Sequence, residues 1–420
     1  MTTPTARNAL AVGWAVAVVM AWVSAGVAPL RDTLSGVRQP ADFARDYVTA
    51  RARIEDGRGA PPPEGEAGNA RAVRYGAPVV ALLGAYYHAH PPPARLPVRP
   101  LGLLPWPAAA GVWAVGSLLA LGWLAISLLA LWGHDAPGGA RVGGAFVLLL
   151  LWPPVLHAFE KGQWSIWLAA LLAAGMVDLG RGRQTRAGVL FGLAAALKLT
   201  PVVLLGLLVL QFRRAARAMV LTGAAAVAAS LAIDGLAPWR AFLAGAARNA
   251  AVWAPWTANT ASLAGVLARL FGPPGPFARP WIAFPGLPAA LFDLTAMAFL
   301  AIAAWATVRG RRSSRAVAPP AAVALWLTLP VLLNPLGWTH VLVMLLAPLA
   351  VAVRDGAART RALALGALVL FSIPRETLAA LAGPTPVAPG RGLLLGVHAA
   401  GVVALFVALA VETRRTRAAD

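Results

Sequence analysis

The stretch AGVLFGLAAALKLTPVVLLGLLVLQF, residues 187–212, decides how this chain is threaded. It is apolar and long enough to cross a bilayer once. Arg181, Arg183 and Arg186 precede it, however, and Arg213, Arg214 and Arg217 follow it. A single crossing would put one arginine cluster on the far side, against the rule that short basic loops stay cytoplasmic. The interruption Lys198-Leu199-Thr200-Pro201 resolves the conflict if two half-helices meet there and both outer ends stay on the cytoplasmic side. Broken helices are tolerated only where they line a cavity, and they mark binding sites.

Outward from this segment, apolar runs and arginine clusters alternate. Of the 420 residues, 59% are hydrophobic and 12% charged, and the mean hydropathy is +0.70. Such a chain is an all-α polytopic membrane protein; its runs are too long and too unbroken for barrel strands. The net charge of +20 is dispersed in short clusters, which excludes a nucleic-acid face and fits membrane anchoring. With no cysteine, disulfides, thiolate catalysis and cysteine metal sites are excluded.

The runs predict about ten full transmembrane helices plus the broken pair, in one membrane-embedded domain spanning residues 1–420. The first helix covers residues 9–30, and an extracytoplasmic segment, 31–106, follows it. Later helices cover 107–132, 143–159, 164–179, 218–233, 288–308, 316–333, 341–353, 362–373 and 392–411, with a second long outer loop at 236–287. In this topology the short cytoplasmic segments hold 18 arginines against four acids. Both termini are then cytoplasmic, in a bacterial plasma membrane. Within the first outer segment, Phe43, Tyr47, Ala50 and Ile54 share one face, which predicts an amphipathic helix lying on the membrane surface.

The chemistry-bearing residues gather on the extracytoplasmic side: Asp42, Asp46, His90, His157, Glu160, Lys161, Gln163, Lys198, Asp234, Asn259, Asn334 and His340. Loops are polar wherever they occur, but that does not explain Lys198 within an apolar run. The chain has two lysines beside 34 arginines. A cation at that depth costs about 2.5–3.5 kcal/mol and calls for an anion; a lipid-linked phosphate at a half-helix end would supply it. The plainer alternative is a lysine snorkelling to helix-end carbonyls. Asp42 can serve as a general base or as the N-cap of the following helix. By pattern alone Asp42 and Asp46 are equally placed. Beyond His88 and His90 no two histidines are spaced as metal ligands, and no Asp-x-Asp occurs, so no cofactor and a metal-independent reaction are expected.

Several motifs resemble glycosyltransferase family 87, the polyprenol-phosphate-mannose-dependent mannosyltransferases of the GT-C-type membrane fold. Asp42-Phe43 with Tyr47 resembles its Asp-Phe-x-x-Tyr element, and His90-Pro91-Pro92 its His-Pro-Pro element. Pro153-Pro154-Val155 through Gly162-Gln163 resembles its Pro-Pro…Gly-Gln hairpin, and residues 192–201, ending Lys198-Leu199-Thr200-Pro201, are the most specific match. Asn259 with Ser262-Leu263 and the turn from Asn334 to His340 also fit. The Gly-Asn/Asp-Pro-Tyr element usual after the first motif is absent; Gly57-Arg58-Gly59-Ala60 stands there.

The resemblance implies inverting transfer of a hexose, mannose, from a polyprenyl-phosphate donor to a glycolipid or glycan acceptor on the extracytoplasmic side. It selects Asp42 as catalytic base, leaving Asp46 as a surface residue. Lys198, His340, Gln163, His90, Asn259 and Asn334 become donor phosphate- and sugar-binding candidates. A competing reading, a secondary transporter or lipid-linked-sugar flippase, also accommodates a broken helix with a lysine. It is opposed by the lack of a two-fold repeat and by the crowding of polar groups at one face. A non-catalytic assembly partner would leave Asp42 dispensable.

Overall fold

A computed structural model of the protein describes residues 40–57, 65–79, 90–256, 259–276, 278–310, 320–388 and 390–415. The expected first helix and both termini lie outside them. The described backbone is built of α-helices and short 3-10 turns, with one isolated β-bridge between Ala278 and Val387.

Helices α1 (Ala41–Asp56) and α2 (Gly65–Arg74) precede two 3-10 turns, Pro92–Arg95 and Arg99–Leu103. Then follow α3 (Trp106–Leu131), α4 (Gly139–Leu150), α5 (Pro153–Lys161), α6 (Ser165–Gly180) and α7 (Gln184–Leu197). The 3-10 turn Thr200–Val203 leads into α8 (Leu204–Gln211), and α9 (Arg213–Asp234), α10 (Ala237–Trp253), α11 (Leu263–Phe271), α12 (Leu287–Gly310) and α13 (Pro320–Leu332) come next. A 3-10 turn, Thr339–Leu345, opens α14 (Leu346–Asp355). The chain closes with α15 (Ala358–Phe371), α16 (Arg375–Ala382), the 3-10 turn Arg391–Gly396 and α17 (Val397–Arg415).

This is a multi-pass helical membrane protein, but the described spans are fewer than expected. Four elements are long and apolar enough to cross a bilayer: α3, α9, α12 and α17 with its preceding 3-10 turn. Counting the pairs α4/α5 and α15/α16 as one span each, with bends of 74° and 75°, gives six. One of the ten, residues 9–30, lies outside the described residues; for the rest the difference is local. The expected helix 143–159 breaks at Trp152, which stands before Pro153 and is driven into extended backbone, φ −73° and ψ 126°. Between α15 and α16 the extended residue is Pro374 itself, with φ −61° and ψ 141°. The two bends meet, since Trp152 Nε1 donates to Ser372 Oγ at 3.1 Å. Helices α6 and α13, of 16 and 13 residues, are buried almost throughout. They pack inside the bundle instead of meeting lipid end to end. By contrast α12 is only 6% buried over its apolar window, as a lipid-facing helix should be.

The segment that opened the reading folds as anticipated. Helix α7 ends at Leu197, Lys198 is extended (φ −152°, ψ 129°), and the chain turns back through Thr200–Val203 into α8. Helix α9 then runs parallel to α7. A Cβ on Gly188 would meet Ala215 O at 2.2 Å, and one on Gly192 would meet Thr222 Cβ at 2.7 Å and Met219 O at 2.8 Å. This Gly-xxx-Gly spacing lets the two backbones touch, the usual device of helix contact in lipid. Arg181, Arg183, Arg186, Arg213 and Arg214 therefore share one end of the bundle, and Lys198 sits at the other.

Helix α1 departs from expectation. It is inserted into the protein, with residues 42–50, Ala52 and Arg53 buried, and does not lie on the membrane surface. Its polar side finds partners inside: Arg53 donates to Asp234 O, and Arg99 Nη1 holds Asp234 Oδ1 at 3.0 Å. Its apolar side stacks Phe43 on Trp113, with ring centroids 4.6 Å apart, and Tyr47 edge-on to Trp106 at 5.3 Å.

Candidate active site

Three consecutive residues at the start of α6 organise the site. Gln163 Nε2 donates to Asp42 Oδ2. Trp164 Nε1 donates to Asp46 Oδ2 at 3.1 Å. Ser165 Oγ lies 2.8 Å from His340 Nδ1. One short strip thus ties α1 to the 3-10 turn Thr339–Leu345. The strip is aimed by Gly162, which closes α5 in the left-handed region (φ 66°, ψ 39°). A Cβ there would also fall 2.6 Å from Phe43 Cβ and 2.9 Å from Pro40 Cβ. Glycine is required both by the turn and by the approach of α1.

Asp42 is fully buried in the first turn of α1, where the helix N-terminus favours a negative charge. It does not cap the helix; Pro40 holds that position, without a side-chain bond. Arg45 donates to its Oδ1 while Gln163 holds Oδ2. A carboxylate offers about four lone-pair positions, so acceptor capacity remains.

Asp46 is the main correction to the sequence reading. It is 3% exposed, not a surface residue, because His90 Nδ1 sits 3.1 Å from its carboxylate and Trp164 donates to it. Burial pushes the Asp46 carboxyl up, but the charges of His90, Arg45 and Arg95 outweigh that and hold it below the ordinary 3.8. Arg95 is pushed down by burial to about 10, opposed by the charges of Asp46 and Asp234, and stays cationic at neutral pH. His90 thus reaches the site through Asp46, one residue pair away from Asp42's own contacts.

Lys198, half-buried at the helix break, makes no side-chain hydrogen bond or ion pair among the described residues. His340 feels its charge, together with those of His90, Arg375 and Lys161, so these cations crowd one end of the bundle. His157 stands with its ring 5.5 Å from that of His340. Buried donors without partners flank the same points in the chain: Thr200 Oγ1 next to the break, and Trp338 Nε1 and Thr339 Oγ1 beside His340.

Asn259 and Asn334 brace this end. Asn259 Nδ2 donates to Ala254 O at 2.9 Å and Pro335 O at 3.1 Å. Asn334 Oδ1 accepts from Leu336 N at 3.1 Å, and Ser262 Oγ donates to Pro335 O at 2.8 Å. The backbones of Gly337 and Ala261 touch, with Ala261 N donating to Gly337 O at 2.7 Å. These bonds lock residues 334–338 against residues 259–262 and so set where His340 stands. Among the described residues no three His, Asp or Glu side chains converge as a metal centre.

Sequence reasoning missed Arg45, Trp164 and Ser165, and set Asp46 aside as a surface residue. The available signal was the pairing of polar heads in a helix judged amphipathic: Asp42/Arg45 and Asp46 point to one side at i, i+3 and i+4, too charged a stripe to be left bare inside a membrane protein.

A sequence profile of glycosyltransferase family 87 matches residues 87–330, more than half of the chain. His90, Gln163, Lys198 and Asn259 fall inside that range, whereas Asp42, Asn334 and His340 fall outside it and are joined to it by the contacts above. A relative from Mycolicibacterium smegmatis is the polyprenol-phosphate-mannose-dependent alpha-(1-2)-phosphatidylinositol mannoside mannosyltransferase, 30% identical over 274 residues. The match covers 60% of this chain and 58% of that relative. No solved structure matches. With its motifs, its re-entrant lysine segment and this match in agreement, the chain belongs to glycosyltransferase family 87.

Proposed function

We propose that this protein transfers a hexose, mannose, from a polyprenyl-phosphate-sugar donor to a glycolipid acceptor, on the extracytoplasmic side of a bacterial plasma membrane. The observation that carries the reading is the buried Asp42 carboxylate held by Gln163 on the strip that also holds His340, with the uncommitted Lys198 cation at the same end. The relative's printed acceptor makes a phosphatidylinositol mannoside the first glycolipid to offer.

In the reaction the acceptor hydroxyl oxygen attacks the anomeric carbon and its proton passes to Asp42. The bond from the anomeric carbon to the phosphate oxygen breaks, and the electron pair leaves with the polyprenyl phosphate. General-base assistance of this kind is worth a factor of about 10² to 10⁴. The leaving phosphate is already an adequate anion and needs no general acid. Lys198 and the donor hydroxyls of Thr200 and Thr339 stabilise its charge, each interaction strengthened by the low dielectric of the site. Arg45 and Gln163 fix the carboxylate, Asp46 and His90 support the same helix, and Asn259 and Asn334 hold the turn that presents His340.

A single displacement inverts the anomeric centre. Proton NMR of the isolated product should show the anomeric configuration opposite to the donor's; retention would point to a covalent enzyme intermediate and remove Asp42 from the role of base. Since charge on the leaving group is met by protein cations, activity should persist in excess EDTA. Loss that is restored by a divalent cation would overturn the metal-free scheme.

A further inference from the structure

At the end of the bundle opposite Asp42 the arginines frame a cavity. Helix α6 has 16 residues, so about 24 Å separate its ends; Gln163 and Ser165 mark one end and Asp178 and Arg181 the other. Residues 182–186 and Arg214 line an open hollow of about 320 Å³. The charge in this hollow is unbalanced. Arg183 and Arg186 share one buried carboxylate, Asp178, at 3.7 and 2.9 Å. Arg214 has no acidic partner among the described residues.

The residues just before it in the chain, 179–181, with Phe212, line a second hollow of about 330 Å³. Leu131, Met176, Leu179, Phe212 and Val323 give it apolar walls, and Arg181 and Arg354 stand at its lining. Both guanidinium groups there are already paired, with Asp135 and Asp355. The polar hollow therefore has charge to spare, and its neighbour has greasy surface to cover. Both sit where apolar helices end in basic turns, which is headgroup depth for a protein in a bilayer.

We propose that this pair of cavities is a binding site for an anionic phospholipid. Its headgroup phosphate sits among Arg183, Arg186 and Arg214, and an acyl chain lies against the apolar hollow. Forked guanidinium groups suit a phosphate oxygen pair, and the free N–H groups at the start of α7 add a favourable field. The site is remote from the Asp42 end and does not depend on the transferase reading.

The test is native mass spectrometry of the purified full chain with added phosphatidylglycerol or phosphatidylcholine. Each headgroup arginine is worth about fivefold in affinity, so Arg183→Ala/Arg186→Ala/Arg214→Ala should weaken phosphatidylglycerol binding about 100-fold. The control Arg141→Ala/Arg359→Ala/Arg415→Ala removes equal charge from exposed positions at other helix ends and should leave binding unchanged. An equal loss in the control, or no loss in the first variant, overturns the site in favour of a diffuse positive field. If the alanine variant does not fold, the three lysine substitutions keep the charge and lose the fork; unchanged phosphatidylglycerol binding in that variant overturns the proposal. Binding of inorganic phosphate at the affinity of phosphatidylglycerol would overturn the lipid as occupant.

Discussion

Asp42, Asp46 and Lys198 show how differently three charged side chains can be held within one site. Asp42 is gripped on both oxygens, so Asp42→Asn keeps the shape and most of the hydrogen bonding but removes the carboxylate proposed as the base. Lys198 is the reverse case, a cation waiting for its partner. Lys198→Ala should raise the donor KM about 10- to 100-fold, the worth of a charge-assisted hydrogen bond, and initial-rate kinetics over donor concentration would read it; an unchanged KM would move phosphate binding elsewhere. Asp46 belongs to the fold. Its carboxyl is held below 3.8 by His90, Arg45 and Arg95, so its contribution to stability is complete above that value and fades as pH falls through the lower folded value. The melting temperature of the wild type should therefore fall more steeply below pH 3.8 than that of Asp46→Asn, and parallel curves would deny Asp46 this role. The sequence singled out Asp42 by motif and misjudged Asp46 as a surface residue, because nothing in a linear string tells which charged heads of a helix will meet His90 and Trp164 from distant segments.

At the scale of elements, the informative features were interruptions in otherwise apolar text. Lys198-Leu199-Thr200-Pro201 announced a break, and the charge clusters on both sides required the chain to return; α7 and α8 do so. The bends at Pro153 and Pro374 were less legible, since proline also opens straight helices at their first turn. Likewise α1 reads as a surface helix by its apolar spacing alone, and only Asp234, Gln163, His90 and Trp164 reveal that its polar side faces protein. Gly162 is the tightest joint among these elements. Gly162→Ala places a methyl 2.6 Å from Phe43 Cβ in a left-handed conformation that costs about 1–2 kcal/mol. It should lower both the melting temperature and kcat by shifting Gln163 from Asp42, with little change in donor KM. A variant as stable and as fast as the wild type would show that the α1–α5 contact does not set the site.

Across the whole molecule, lipid-facing α12 and the protein-buried α6 and α13 separate two duties that composition alone merges. Both kinds of helix are apolar in sequence, and counting runs alone cannot separate full spans from short buried helices. One end collects Asp42, His90, Lys198 and His340, and the other collects arginine clusters. This polarity suits the proposed transfer from a lipid-borne donor, with the proposed chemistry at one end of the bundle and basic anchoring at the other. The most direct test is to incubate the purified protein with radiolabelled polyprenyl-phosphate-mannose and a membrane lipid extract and follow the label. The wild type should form a labelled glycolipid, and Asp42→Asn should form it about 10² to 10⁴ times more slowly. Label that stays on the donor, or an Asp42→Asn rate equal to the wild type, would contradict the account.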